Sequence, residues 1–103
     1  MSDSPRGVMA ASNRFEIKAE IVEATASSRY PGKWELSLRL IQVKHISGPD
    51  MVSRQAGSAV PGFTFDPPFA LTPGKTIEAK AEYQGGARHG FLQIFEIVPC
   101  AAP

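Results

Sequence analysis

The chain has little cysteine, no excess of charge of either sign and no long apolar run. Cys100 is its only cysteine, which excludes an internal disulfide framework and a zinc site built from several cysteines. Eleven Lys and Arg residues against ten Asp and Glu residues leave a formal charge of +1, so binding to a polyanion would depend on a local patch. Redox chemistry and a strong general attraction to nucleic acid are therefore not expected.

No stretch approaches the roughly 18 consecutive apolar residues that a membrane-spanning helix requires. Residues Met1 to Ser12 also lack the continuous apolar run of a secretory signal. We therefore expect no membrane association and a cytoplasmic location. Hydrophobic residues make up 43% of the chain and charged residues 20%, a globular composition that predicts a domain able to fold without a partner.

Sequence motifs of catalytic and metal sites are also missing. The chain contains no G-x-S-x-G turn, no H-E-x-x-H helix and no phosphate-binding glycine loop with a lysine. His45, His89 and Cys100 are the only soft metal-ligand candidates, and their spacing does not suit a copper site, because Cys100 follows the predicted last strand. We predict no metal, no other cofactor and no enzymatic activity.

The sequence does contain the two-residue period of β-strands. Residues 1–13 show no period and are predicted to form a disordered tail, followed by a single β domain over 14–99 and a short C-terminal tail over 100–103. From Arg14 onward, apolar residues at every second position predict a strand with one buried face. The alternation shifts phase at Ile21-Val22, which predicts a β-bulge.

Four further strands follow. Lys33 to about Ile46 predicts a long second strand, with another phase shift at Ile41 that suggests a second bulge or a strand covered on both faces. A short third strand is expected around Phe63 to Phe65, and Thr76 to Gln84 is the cleanest strand pattern in the chain. Phe91 to Val98 is the predicted last strand and has apolar residues on both faces. Glycines and prolines interrupt 47–61, where residues 51–55 fit either a short strand or a single helical turn.

Five main strands without a helix longer than a turn predict an all-β fold. A small five-stranded OB-like barrel fits this order, with residues 66–75 as the connection between the third and fourth strands. The alternative is an immunoglobulin-like β-sandwich, which needs about seven strands and would require the long strands to be split at their phase shifts.

Two loops carry the strongest indication of ligand binding. In an OB-like barrel, loops 29–34 and 85–90 would border the face that binds oligonucleotides or oligosaccharides. The candidate ligand-binding residues in these loops combine aromatic rings that can stack with basic groups that can contact phosphate: Arg29, Tyr30, Lys33, Trp34, Arg88 and His89. A simpler interpretation is that the aromatic residues close one end of the core and the charged residues are solvated.

An interaction with another protein is the alternative function. The segment around Pro67-Pro68 is more apolar than most loops, and its candidate interaction residues are Phe63, Phe65, Phe69 and Leu71. If exposed, they would suit a protein partner or a homodimer; otherwise they would form a lid on the core. The sequence thus predicts a small non-enzymatic binding module, or alternatively an interaction or subunit domain that uses this segment or a sheet edge.

Overall fold

Five strands account for most of the described residues. The structure, a computed structural model, describes residues 12–65, 67–85 and 90–100. The strands are β1 (Arg14–Ala26), β2 (Lys33–Ser47), β3 (Ala59–Phe65), β4 (Thr76–Gly85) and β5 (Gly90–Pro99), and a single 3-10 turn covers Ser53–Gln55.

The strands form one closed barrel in the order β1-β2-β3-β5-β4. All neighbouring strands are antiparallel except β3 and β5, which run parallel. The predicted five-stranded OB-like barrel is confirmed. The immunoglobulin-like alternative is wrong, because β4 pairs with β1 and closes a single sheet instead of leaving two sheets packed face to face.

Both predicted bulges occur in the long β1–β2 pair. Val22 has no partner on β2, because its neighbours Ile21 and Glu23 pair with consecutive β2 residues, and Ile41 similarly has no partner on β1. The two unpaired side chains lie on the outside, at 37% and 46% exposure. Extra residues of this kind bend a strand and increase its twist, so they allow β1 and β2 to curve around the barrel.

The inward side chains of the strands form one hydrophobic core. Two further core residues come from connections between strands: Val52, next to the 3-10 turn, and Leu71, between β3 and β4. The alternation predicted for β1, β2 and β4 is confirmed. The buried hydrophobic residues are Phe15, Ile17, Ala19, Ile21, Leu36, Leu38, Leu40, Val52, Val60, Leu71, Ile77, Ala79, Ala81, Tyr83, Leu92, Ile94 and Ile97.

β3 is longer than the sequence pattern indicated. It begins at Ala59 and continues through Pro61-Gly62, which the sequence pattern marked as a break. Proline is tolerated here although it cannot donate a ladder hydrogen bond, and Pro61 lies opposite Ser37 of β2. The strand turns Val60, Gly62 and Thr64 inward, so its largest side chains lie on the outer surface.

A lack of interior space explains this orientation. A Cβ atom on Gly62 would lie 2.9 Å from the carbonyl oxygen of Leu92 and 3.0 Å from Cδ1 of Leu38. Thr64, the next inward residue, is 2% exposed and donates its hydroxyl proton to the carbonyl oxygen of Ile94 at 2.8 Å. This hydrogen bond links β3 to β5, whose parallel ladder pairs only Gly62 with Leu92 and Phe63 with Gln93.

The predicted tails are only partly covered by the described residues. Residues 1–11 and 101–103 lie outside them. Asn13, assigned to the tail from its sequence, is 3% exposed and hydrogen-bonded to the backbone of β4. It therefore belongs to the folded domain.

Helical structure in the described ranges is limited to the turn at Ser53–Gln55. It agrees with one of the two alternatives expected for residues 51–55. Residues 67–75 connect β3 to β4 without a helix. In the part of the chain that the structure describes, no helix is long and apolar enough to cross a membrane.

Candidate ligand-binding face

One part of the outer barrel surface, spanning β1, β2, β3 and β5, collects exposed aromatic rings and charged groups. We call it the aromatic face and define it by Glu23, Tyr30, Lys33, Glu35, Phe63, Phe65 and Phe91. Its strand residues point outward because the alternate positions fill the core.

The strand register arranges the aromatic face in rows that cross neighbouring strands. Phe65 lies opposite Lys33, and Phe63 lies opposite Glu35. In the third row Ser37 lies between Glu23 and Pro61. Phe91 borders this row, because it precedes Leu92, the partner of Gly62. Three successive rows therefore each carry one phenylalanine.

The aromatic rings of this face are unusually accessible. Tyr30, Phe65 and Phe91 are 52%, 48% and 51% exposed, and Phe63 is half-buried. The rings of Phe63 and Phe65 meet edge to face, with centres 5.8 Å apart and an interplanar angle of 82°, a favourable aromatic arrangement. Tyr30, Phe65 and Phe91 therefore keep about half of their surface open to solvent.

Basic groups lie over two of these rings. The Lys33 Nζ atom is 4.8 Å from the centre of the Phe63 ring and 5.0 Å from the centre of the Tyr30 ring. The Arg29 guanidinium carbon is 6.0 Å from the Tyr30 ring centre. All three distances lie within the range of cation–π contacts. The structure therefore brings together Arg29, Tyr30 and Lys33, three of the six residues that the sequence predicted for ligand binding.

The β1–β2 loop holds Tyr30 and Lys33 in place with its own hydrogen bonds. The Lys33 amide donates to the Tyr30 carbonyl oxygen at 3.1 Å, and Gly32 has a φ of 83°, which is the geometry of a type II turn centred on Pro31-Gly32. The Ser27 hydroxyl oxygen accepts from the amides of Arg29 and Tyr30, both at 3.1 Å. These bonds fix the loop that carries Tyr30.

A groove of about 520 Å³ runs across the aromatic face. Phe63 and Phe91 line it together with one cation, Lys33, and two carboxylates, Glu23 and Glu35. The groove therefore combines aromatic surface with both hydrogen-bond donors and acceptors, and its carboxylates outnumber its cation by one.

Of the other sequence-predicted ligand residues, only Trp34 is described by the structure. Trp34 is half-buried and packs against the core, so it lies on the opposite side of β2 from Lys33. Arg88 and His89 lie outside the described residues, so the structure says nothing of their position.

The four candidate interaction residues divide into two pairs. Phe63 and Phe65 belong to the aromatic face, whereas Leu71 is a core residue at 7% exposure and Phe69 is half-buried against the core. The segment is therefore not one continuous exposed patch. Its second half covers the core, as the simpler interpretation of the sequence expected.

Sequence analysis did not identify Phe91, Glu23 or Glu35 as site residues. Phe91 could have been found from β5, where apolar residues on both faces mean that some must point outward. The two glutamates carried no such indication, because outward carboxylates on a strand are usually only solvated. Their place in the groove depends on the bulge at Val22 and on the pairing of β2 with β3.

Two of the three candidate metal ligands, His45 and Cys100, lie in the described part of the chain, and His89 lies outside it. Among residues 12–65, 67–85 and 90–100, no three His, Cys, Asp or Glu side chains are placed to hold a metal ion. His45 hydrogen-bonds through Nε2 to the carbonyl oxygen of Gly48, and its ring packs 5.3 Å from that of Phe15. The Cys100 thiol lies 3.9 Å from a carboxylate oxygen of Glu78.

Comparisons with known proteins add no assignment to this geometry. No protein-family model, no curated protein and no solved structure matches the chain.

Proposed function

We propose that the protein is a small non-enzymatic binding module whose aromatic face holds a linear ligand made of rings. The observation that carries this proposal is the alignment of Phe65, Phe63 and Phe91 in three successive rows of the sheet. Oligosaccharides and single-stranded oligonucleotides are chains of rings that stack on such side chains, and both bind this side of OB-like barrels.

The exposure of these rings supports a binding role. A buried aromatic side chain removes about 150–250 Å² of surface from water, and apolar burial contributes about 25 cal/mol per Å². Phe65 and Phe91 leave about half of their surface in solvent, so the fold gains only part of that stabilisation. A ligand that covers these rings would gain the rest.

A protein-interaction or subunit domain is the second candidate. Exposed Phe65 favours it, since phenylalanine is enriched in the cores of protein interfaces. This function would use the same aromatic face, because Phe69 and Leu71 pack against or within the core. A concentration series in analytical ultracentrifugation tests self-association, and a dimer that Phe65→Asp converts to a monomer would support this candidate.

The binding proposal is tested by NMR titration of the full chain with linear hexasaccharides and with hexathymidylate. At least one ligand is expected to shift the amide signals of Lys33, Glu35 and Phe63 while leaving that of Lys80 on β4 unchanged. Phe63→Ala should weaken binding at least tenfold. The matched control is Phe95→Ala, because Phe95 is another half-buried phenylalanine, packed under Arg14 and not part of the aromatic face.

Two results would overturn the proposal. One is the absence of shifts with every ligand at millimolar concentration. The other is binding that Phe63→Ala leaves intact, because the ligand would then occupy another surface.

A further inference from the structure

We infer that the ligand of the aromatic face is a neutral oligosaccharide, and that Glu35 and Lys33 hydrogen-bond its hydroxyl groups while a sugar ring stacks on Phe63. This inference rests on the proposed function and narrows it to one class of ligand. The excess of carboxylates in the groove, the positions of its donors and acceptors, and the spread of the rings over three rows each support it.

The charges of the groove do not suit a phosphate backbone. Glu23 and Glu35 line it with Lys33 as the single cation among the lining residues. The ion pairs in the described part of the chain are Arg39–Glu20 and Lys80–Glu96, so neither groove carboxylate is neutralised by a described basic side chain. Single-stranded nucleic acid binds largely through neutralisation of its phosphates by basic groups, and two unpaired carboxylates would repel it.

The same groups suit the hydroxyls of a sugar. A carboxylate accepts hydrogen bonds from hydroxyl protons, and an ammonium group donates to hydroxyl oxygens. Bonds to charged groups are stronger than bonds between neutral groups. A neutral sugar brings both donors and acceptors and adds no charge that either carboxylate would repel.

The positions of these groups around Phe63 match a stacked sugar ring. Glu35 lies directly opposite Phe63 on the neighbouring strand, where Cβ atoms are about 5 Å apart. The ammonium group of Lys33 lies 4.8 Å from the Phe63 ring centre. A pyranose that places its apolar C–H face on this ring would take the place of the Lys33 ammonium group. The flexible lysine stem lets that group move to the ring edge, where it can donate to the sugar hydroxyls beside Glu35.

The arrangement of the rings favours a chain over a single sugar. Phe65 and Phe63 occupy successive rows on β3, and Phe91 borders the following row on the neighbouring strand β5, so the rings are spread over three rows and two strands. Phe63 and Phe91 line the groove, and Phe65 lies next to Phe63. Phe65 and Phe91 are both about half exposed. A linear oligosaccharide can contact more than one of these rings at once.

The test compares neutral hexasaccharides of glucose, N-acetylglucosamine and xylose with hexathymidylate, by NMR titration of the full chain at 20 and 500 mM NaCl. We expect at least one saccharide to bind more tightly than hexathymidylate, with a dissociation constant that changes less than twofold with salt. Glu35→Ala should weaken saccharide binding at least fivefold. Glu35→Gln, which keeps a hydrogen-bond acceptor, should restore part of the affinity.

Glu35→Lys should affect the two classes of ligand in opposite directions, because it replaces a carboxylate with a cation. It should weaken saccharide binding and strengthen hexathymidylate binding, the latter with a steep loss in high salt. Glu35 is exposed, so these variants are expected to fold, and the dispersion of their NMR spectra checks this directly.

The outcomes separate the inference from the proposed function. If hexathymidylate bound more tightly than every saccharide, with an affinity that fell steeply with salt, the assignment to a neutral oligosaccharide would be overturned. The proposed binding face would then still stand. Binding of neither class at millimolar concentration would overturn both. Saccharide binding that Glu35→Ala leaves unchanged would remove the role assigned to Glu35.

Discussion

The side chain of Asn13 and the backbone of Tyr83 are joined by two hydrogen bonds, although 70 residues separate them along the chain. The Asn13 Nδ2 group donates to the Tyr83 carbonyl oxygen at 3.0 Å, and the Tyr83 amide donates to Asn13 Oδ1 at 2.8 Å. Because Phe15 pairs with Ala81, the same register places Asn13 opposite Tyr83, two residues further along each strand. The side-chain amide thus extends the β1–β4 ladder beyond the start of β1.

Replacement of Asn13 by alanine is expected to lower the free energy of unfolding by about 1–3 kcal/mol, because two buried backbone groups of Tyr83 would lose these hydrogen bonds. Guanidinium unfolding followed by Trp34 fluorescence measures the change. Ser12→Ala is the matched control, since Ser12 is exposed and its replacement should change stability by less than about 0.5 kcal/mol. Equal stability of Asn13→Ala and the parent chain would contradict this account.

The sequence predicted the parts of the barrel where the hydrophobic pattern alone determines the structure. Every second residue of β4 from Ile77 to Tyr83 is buried, because a strand with one wet face must alternate. The bulges at Val22 and Ile41 were predictable for the same reason, since an extra residue reverses which positions face inward.

Features that depend on distant neighbours were not predictable. β3 shows its phenylalanines on the outside because Leu38 and Leu92, from two other strands, fill the space next to Gly62. No local pattern encodes that contact. The sequence predicted two parts of the aromatic face separately, the β1–β2 loop as a ligand site and Phe63 with Phe65 as interaction residues. Glu23, Glu35 and Phe91 were not predicted, because only strand pairing brings them to this face.

Replacement of Gly62 by alanine tests the packing that orients β3. The new Cβ would press against the Leu92 carbonyl oxygen, a backbone atom that cannot move without disturbing the β3–β5 ladder. Overpacking of this kind costs about 1–3 kcal/mol. Ala59→Ser, at an exposed position of the same strand, should be nearly neutral. Denaturant midpoints of the two variants compare the effects, and an unchanged midpoint for Gly62→Ala would show that β3 has room to shift.

A strained residue in β5 gives a position where glycine should be more stable than alanine. Glu96 and Ile97 together lie opposite a single β4 residue, Ala79, and Glu96 has a φ of 51°. A residue with a Cβ in this left-handed region costs about 1–2 kcal/mol relative to its usual conformation, whereas glycine adopts it freely.

Glu96→Gly is therefore expected to be more stable than Glu96→Ala by roughly 1 kcal/mol. Both variants lose the exposed ion pair with Lys80, which measures 3.0 Å, so the comparison isolates the backbone conformation. Thermal unfolding of the two variants under identical conditions provides the measurement. If Glu96→Ala proved as stable as Glu96→Gly, the bulge would not impose a left-handed backbone at this position.

Asp50 makes the turn before β3 sensitive to acid. Its Oδ1 atom accepts hydrogen bonds from the amides of Ser53 at 2.8 Å and Val52 at 3.1 Å. Hydrogen bonds from the Ser53 side chain, then from the Ser53 and Val52 amides, lower the pKa of Asp50 below its ordinary value of 3.8. These hydrogen bonds hold the turn that places Val52 in the core, where its exposed fraction is 1%.

A lowered pKa in the folded state means that the ionised carboxylate contributes stability above the pKa of the unfolded chain, and that this contribution disappears as the pH falls through the folded pKa. The parent chain should therefore lose part of its stability advantage over Asp50→Asn between about pH 5 and pH 2.5. The advantage should stay well under about 1 kcal/mol, because the carboxylate is exposed. Asp50→Ala, which removes the acceptor, should be less stable than Asp50→Asn throughout this range. Urea unfolding of the three proteins at several pH values tests both expectations, and an advantage that grew on acidification would mean that the turn is held by the neutral acid instead of the carboxylate.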